Sequence, residues 1–167
     1  MDRGTYDRMR LLQENHWWFR GRRRILTELI GALALPEGAN VLEVGCGPGG
    51  NLTMLRRFGE VVAMEPDAAS RAYAADRMGV RVEAGYLPDD LPFAPESFDL
   101  VCAFDVIEHV DEDAASVKAL AGLIRPGGYF ATTVPGQPWM WSRHDELHHH
   151  KRRYRMRAYR AMFEQAR

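Results

Sequence analysis

The sequence predicts an α/β fold: one open, mainly parallel sheet with helices on both faces. Three observations carry this. Short apolar runs alternate with helix-patterned segments. A glycine-rich turn, Gly45 to Gly50, directly follows the first of those runs. Glu65 closes the second run about 20 residues after Gly45, where open sheets of this kind hold a ribose diol.

The organising stretch runs from Asn40 to Asn51. Val41, Leu42 and Val44 read as a short buried strand, interrupted by Glu43, whose carboxylate is costly in a core unless a donor meets it. Gly45, Cys46, Gly47, Pro48, Gly49 and Gly50 then make a turn where backbone can approach a ligand without Cβ interference. Asn51 to Phe58 reads as the following helix. Gly45, Gly47 and Gly50 satisfy the dinucleotide pattern G-x-G-x-x-G, which alone is weak. Glu43, Gly45, Gly47 and Gly49 equally satisfy E-x-G-x-G-x-G. Glu43 favours the second pattern, because a carboxylate repels a pyrophosphate and suits a cationic ligand end.

Composition bounds the class. A chain of 167 residues suits one domain with a substantial core. A formal charge of −1 and a pI near 6.6 argue against a dedicated nucleic-acid binder. No apolar run is long enough to span a bilayer, and Met1 to Arg10 lacks a signal peptide's apolar core. Cys46 and Cys102 are the two cysteines, and both fall in or beside strands, which suits buried free thiols in a reducing cytoplasm.

The remaining elements follow in order. Residues 1–38 read as an N-terminal helical cap on a domain spanning 39–167. Within the cap, Thr5 to Glu14 is one helix. Ile25, Leu26, Leu29, Ile30 and Leu33 mark the face of a second, ended by Pro36 and Gly38. Trp17, Trp18 and Phe19 either pack that helix on the core or form a lid. Arg20, Arg22, Arg23 and Arg24 are a solvated face or a phosphate site, the former favoured. Val61 to Met64 is the second strand. Asp67 opens a helix to about Met78, and Val80 to Glu83 is the third strand. Pro88, Pro92 and Pro95 keep the next connection irregular. Phe98 to Phe104 is the fourth strand, Asp111 to Ile124 a helix, Arg125 to Gly128 a turn and Tyr129 to Val134 the fifth strand. Arg155 to Arg167 reads as a helix with Met156, Tyr159, Met162 and Phe163 on one face.

Four ordered motifs, the glycine turn, "LPF-x-x-x-SFDLV", "DVIEHV" and "RPGG", together resemble the small-molecule class I S-adenosylmethionine-dependent methyltransferases over Asn40 to Val134. "HWWFRGRR" and "HDELHHHKRRY" look like one bacterial branch of that superfamily. The resemblance implies a Rossmann-like sheet of order 3-2-1-4-5, and S-adenosyl-L-methionine as cofactor. It implies that Gly45 and Gly47 approach the amino-acid portion and Glu65 the ribose, with Glu43, Cys46, Gly49 and Pro66 also among the cofactor-binding residues. Tyr86 and Leu87 flank the adenine, and Phe104 and Asp105 lie beside the methionine end. The wider family often has an aspartate after Gly85 to meet the adenine amino group. Here Tyr86 stands there, leaving Leu87 N–H and Asp89 as substitutes.

Methyl transfer from a sulfonium is an in-line displacement, so the protein mainly aligns the partners and excludes water. A general base is needed only where the acceptor loses a proton. His144 is the first candidate, with Asp145 as its orienting acid, and His109 is the second. Pro135 to Trp141 either walls a substrate pocket or packs. No metal site is expected, since a histidine run does not specify a closed ligand geometry. The acceptor is expected to be a small molecule. A non-catalytic cofactor-binding domain and, less favoured, a nicotinamide-dependent oxidoreductase are the alternatives. The superfamily usually has seven strands and five are found here. The expectation is therefore a chain shortened at its C-terminus, lacking the last two strands. Its open fifth strand is then either a weakness or a homodimer contact.

Overall fold

The computed structural model describes residues 12, 13 and 15–166. The helix expected over 5–14 lies outside the described residues but for Leu12 and Gln13. Five strands form one parallel sheet of order β3-β2-β1-β4-β5. They are β1 (Ala39–Val44), β2 (Gly59–Met64), β3 (Arg81–Glu83), β4 (Phe98–Phe104) and β5 (Ile124–Thr133). The helices are α1 (Trp17–Gly31), α2 (Leu52–Leu55), α3 (Ala68–Met78), α4 (Asp113–Ala121), α5 (Arg143–Leu147) and α6 (Met156–Gln165).

The central strands read as continuous apolar runs because both faces are covered. Successive side chains alternate between those faces. Leu42, Val44, Val101 and Ala103 join Val117 and Leu120 of α4 and Tyr159 of α6. Val41, Leu100 and Cys102 join Leu26 and Ile30 of α1 and Leu55 of α2. Burying each such Leu or Ile contributes about 1.5–3 kcal/mol. Cys46 and Cys102 are free thiols, both buried.

Several boundaries differ from the sequence expectation. α1 begins at Trp17, capped by His16, whose Nδ1 accepts from Trp18 N–H. Its inward face is Arg22, Leu26 and Ile30, at spacings of four. Ile25 and Leu29 lie off that face and are each 62 % exposed. Trp17 and Trp18 are exposed as well, so they do not pack α1 on the core. α2 is a single turn rather than running to Phe58, because Gly59 is already paired with Ala39. α4 spans Asp113–Ala121, and Ile124 opens β5 instead of closing the helix. Arg125 to Gly128 is not a separate turn. It is an irregularity within β5, with Gly127 at φ 82° and the register broken between Phe98 and Leu100. On α6, Tyr159, Met162 and Phe163 meet the core while Met156 is exposed. Among the described residues no helix is long and apolar enough to cross a membrane.

Candidate functional site

The carboxyl ends of β1, β2 and β4 meet at the glycine turn. Gly45 and Cys46 N–H both donate to Met64 O, at 2.8 and 3.2 Å, which ties the turn to the end of β2. Gly45 has φ 65°, and a Cβ there would sit 2.7 Å from Val106 Cγ2. Left-handed backbone and close approach both demand glycine at this point. Gly47 N–H donates to Glu65 Oε2 at 2.8 Å, and Asp67 N–H donates to Glu65 Oε1 at 2.9 Å. Glu65 is buried and bridges the glycine turn to the start of α3. Asp67 caps α3, accepting from Ser70 N–H at 2.7 Å. Pro66 O accepts from Arg71 Nη1 at 3.1 Å.

Glu43 is 1 % exposed. Its Oε1 accepts from Asn51 Nδ2 at 2.7 Å, while its Oε2 has no hydrogen-bond partner among the described residues. Burial pushes its carboxyl up to about 7, with Asn51 and Arg22 pulling it down. Between pH 4.5 and about 7 the folded chain therefore holds a proton that the unfolded chain has lost, so stability falls as pH rises through that window. Glu43→Gln is expected to remove roughly 3 kcal/mol of that fall. Urea unfolding of wild type and variant at pH 5 and pH 8 measures the difference. Parallel pH profiles would show that Glu43 titrates at its ordinary value.

At the end of β4, Phe104 is buried and Asp105 is exposed at φ 56°. Asp105 Oδ1 accepts from Thr133 Oγ1 at 2.9 Å, and Oδ2 pairs with Arg22 Nη1 at 2.5 Å. Arg22 Nη2 donates to Thr133 Oγ1 at 2.8 Å, and its guanidinium lies 5.9 Å from the Phe104 ring centroid. Arg22 is thus no solvated charge: it fastens α1 to the ends of β4 and β5. Sequence reasoning missed it, together with Asn51 and Thr133. The Arg22, Leu26, Ile30 spacing was the available signal.

Beyond β3, Tyr86 and Asp90 exchange two backbone hydrogen bonds of 2.9 Å. The Tyr86 side chain is 60 % exposed, and Leu87 is half-buried against the core. Trp139, Met140 and Trp141 are exposed on the segment after β5.

The structure separates the pair His144 and Asp145. His144 is exposed, its ring 4.2 Å from that of His148. Asp145 is fully buried and does not orient the His144 ring. Its Oδ1 meets Arg153 Nε at 2.7 Å and His150 Nδ1 at 2.9 Å, and its Oδ2 accepts from Ser142 N–H at 2.9 Å. The Arg153 guanidinium holds the Asp145 carboxyl well below the usual carboxylate range. α5 explains the inversion: Ser142 and Asp145 form its capping box, which turns the carboxylate inward. Tyr154 is buried, donating to Asp113 Oδ2 at 2.9 Å. His109 lies edge-on to His150, ring centroids 4.9 Å apart, beside the buried Glu108.

Comparison with known proteins matches a family model described as "Methyltransferase domain" to residues 15–166. A probable S-adenosylmethionine-dependent methyltransferase of Mycolicibacterium smegmatis is 32 % identical over 128 residues, covering 75 % of this chain and 48 % of the relative. A ubiquinone biosynthesis O-methyltransferase of a Methylobacterium species is 35 % identical over 105 residues, covering 58 % of this chain and 41 % of the relative. The chain thus spans about half the length of these curated relatives. Among solved structures, a methyltransferase from Thermotoga maritima superposes with a TM-score of 0.75 at 23 % identity. That likeness covers 98 % of this chain and 75 % of the other, and speaks to the fold alone.

Proposed function

We propose, because this chain belongs to the methyltransferase domain family, that it binds S-adenosylmethionine and directs methyl transfer to a small-molecule acceptor. The observation that carries the reading is the buried, half-partnered Glu43 under a glycine turn braced by Glu65. An orphaned carboxylate oxygen beside open backbone suits the cationic amino-acid end of that cofactor and opposes a pyrophosphate.

When bound, S-adenosylmethionine supplies a methyl group on a sulfonium that is already electrophilic. The chain's own residues position it. Gly45, Cys46, Gly47 and Gly49 line the amino-acid portion, and Glu65 turns toward the ribose, with Pro66 shaping the strand end. Tyr86 and Leu87 flank the adenine. Phe104 and Asp105 border the methionine end, where the Arg22–Asp105–Thr133 contacts hold α1 as a cap and exclude water. His144, exposed on the 143–150 segment, is the base for an acceptor that must lose a proton. His109 is enclosed against His150, so we give proton transfer to His144 rather than to it.

The Methylobacterium relative makes hydroxyl-bearing aromatic rings the first acceptor class to screen. A cytoplasmic location and self-association along the outer edge of β5 belong to the same proposal. Among the described residues β5 pairs only with β4, and an unpaired edge accepts a second strand.

Calorimetric titration with S-adenosylmethionine, S-adenosylhomocysteine and NAD tests the cofactor. Saturable binding of the first two and none of NAD is expected. Saturable NAD binding without S-adenosylmethionine binding would overturn the reading. A methyl-transfer screen over hydroxylated aromatic rings then separates an enzyme from a binding domain.

A further inference from the structure

We propose that Glu108, His109 and His150 form a binding site for one divalent transition-metal ion of the zinc class. This lies beyond the methyl-transfer reading and does not depend on it. The three residues come from two loops that the sequence separates by about 40 positions, which is why no ligand spacing announces them. In the fold, one ligand atom from each lies within 4.8 Å of the other two.

Glu108 is the independent observation. Its side chain is fully buried, and among the described residues neither carboxylate oxygen has a hydrogen-bond partner. An ionised carboxylate there has no donor, and a protonated one has no acceptor for its O–H. Either form leaves buried polar atoms unsatisfied, which native interiors rarely tolerate. A cation between Glu108 and the two imidazoles resolves both cases.

His150 is dressed as a ligand. His150 Nδ1 meets Asp145 Oδ1 at 2.9 Å; with the proton on Nδ1, its Nε2 lone pair is free to coordinate. Asp145 is itself fixed by Arg153 and Ser142. The His109 ring stands edge-on to that of His150, centroids 4.9 Å apart, so both imidazoles are already at the site. A ring nitrogen bound to a carboxylate or carbonyl while the other faces the ion is the usual outer-shell arrangement of metal-binding histidine.

The two loops are also clamped together. Lys151 N–H donates to Glu108 O at 2.8 Å, and Arg152 Nη2 donates to Asp111 O at 3.1 Å. His149 sits at φ 54°, a left-handed turn that presents His150 inward. From separations within 4.8 Å, the three ligand atoms must draw together to the roughly 3.3 Å of a tetrahedral zinc site when the ion binds. One carboxylate and two imidazoles match catalytic zinc sites that keep a fourth position open. Calcium and magnesium, which favour all-oxygen shells, fit poorly.

The test uses the full chain treated with a chelator and dialysed. ZnCl2 is titrated by calorimetry, and Co2+ is added separately to read its visible d–d absorption. One Zn2+ per chain is expected, with an intense tetrahedral Co2+ spectrum. Glu108→Gln and His150→Ala should each weaken Zn2+ binding by at least about 10-fold, and Zn2+ should raise the melting temperature of wild type but not of E108Q. E108Q keeps the shape of the side chain, and circular dichroism checks that the variant is folded. The His144–His148 pair is the competing site, so the double variant H144A/H148A should bind as wild type does. No stoichiometric binding of either ion would overturn the proposal. So would Zn2+ binding that survives in E108Q and disappears in H144A/H148A.

Discussion

Replacing Glu65 with alanine is expected to lower S-adenosylmethionine affinity by about 10- to 150-fold. That is the range for losing charge-assisted hydrogen bonds worth about 1.5–3 kcal/mol. Glu65 carries two duties. Its Oε2 accepts from Gly47 N–H at 2.8 Å and its Oε1 from Asp67 N–H at 2.9 Å, so it sets the shape of the glycine turn and the start of α3. Under the proposed placement it also takes the ribose hydroxyls. E65A removes both and leaves two amides without their acceptor. Calorimetry reads the affinity and urea unfolding reads the brace. A loss of stability with unchanged cofactor affinity would confine Glu65 to bracing and move the ribose elsewhere. Glu65→Gln separates the contributions further. It keeps one amide acceptor but not the charge, so its affinity should fall between wild type and E65A.

The sheet was legible because its signals are local. β1 and β4 are apolar runs bounded by turn residues, and the glycine turn with Glu65 at the right distance places the crevice between them. α3 was legible for the same reason: Asp67 caps it, and Gly79 ends it in left-handed backbone. Elements set by tertiary contact were not. The inward face of α1 turns on Arg22 finding Asp105 and Thr133, partners 83 and 111 residues away in the chain. Composition alone makes Arg22 one of four arginines facing water. Ile25 and Leu29 suggested a broader buried face than the sheet end can cover. The block from His144 to Tyr154 showed the same limit. Its histidines suggest surface chemistry, yet the segment folds inward on one acidic residue that pattern reading had assigned to an exposed histidine.

That residue gives the largest expected loss of stability. Asp145→Ala should cost about 3–5 kcal/mol, the usual consequence of stripping one partner from a buried ion pair. The carboxylate is fully buried, and Arg153 and His150 have side chains only 13 % and 8 % exposed. Without Asp145, the Arg153 guanidinium is left buried beside the Gly136 carbonyl, a 3.3 Å contact that cannot balance its charge. Ser142 loses the acceptor for its N–H, so α5 loses its capping box as well. Asp145→Asn keeps an acceptor for Ser142 and should lose about 1–3 kcal/mol. For a domain of this size the alanine variant's melting temperature should fall by roughly 6–20 °C. Thermal unfolding reads the drop, and hydrogen exchange shows where it falls. Protection should be lost first around Gln137 and Tyr154, whose amides bond back across this segment to Tyr154 O and Pro135 O. A melting temperature unchanged in D145A, with those amides still protected, would mean that Arg153 and His150 find other partners and that Asp145 does not hold this segment. Loss of protection there without a change in global melting would make the segment a separately opening unit, its stability set by Asp145 but not shared with the sheet.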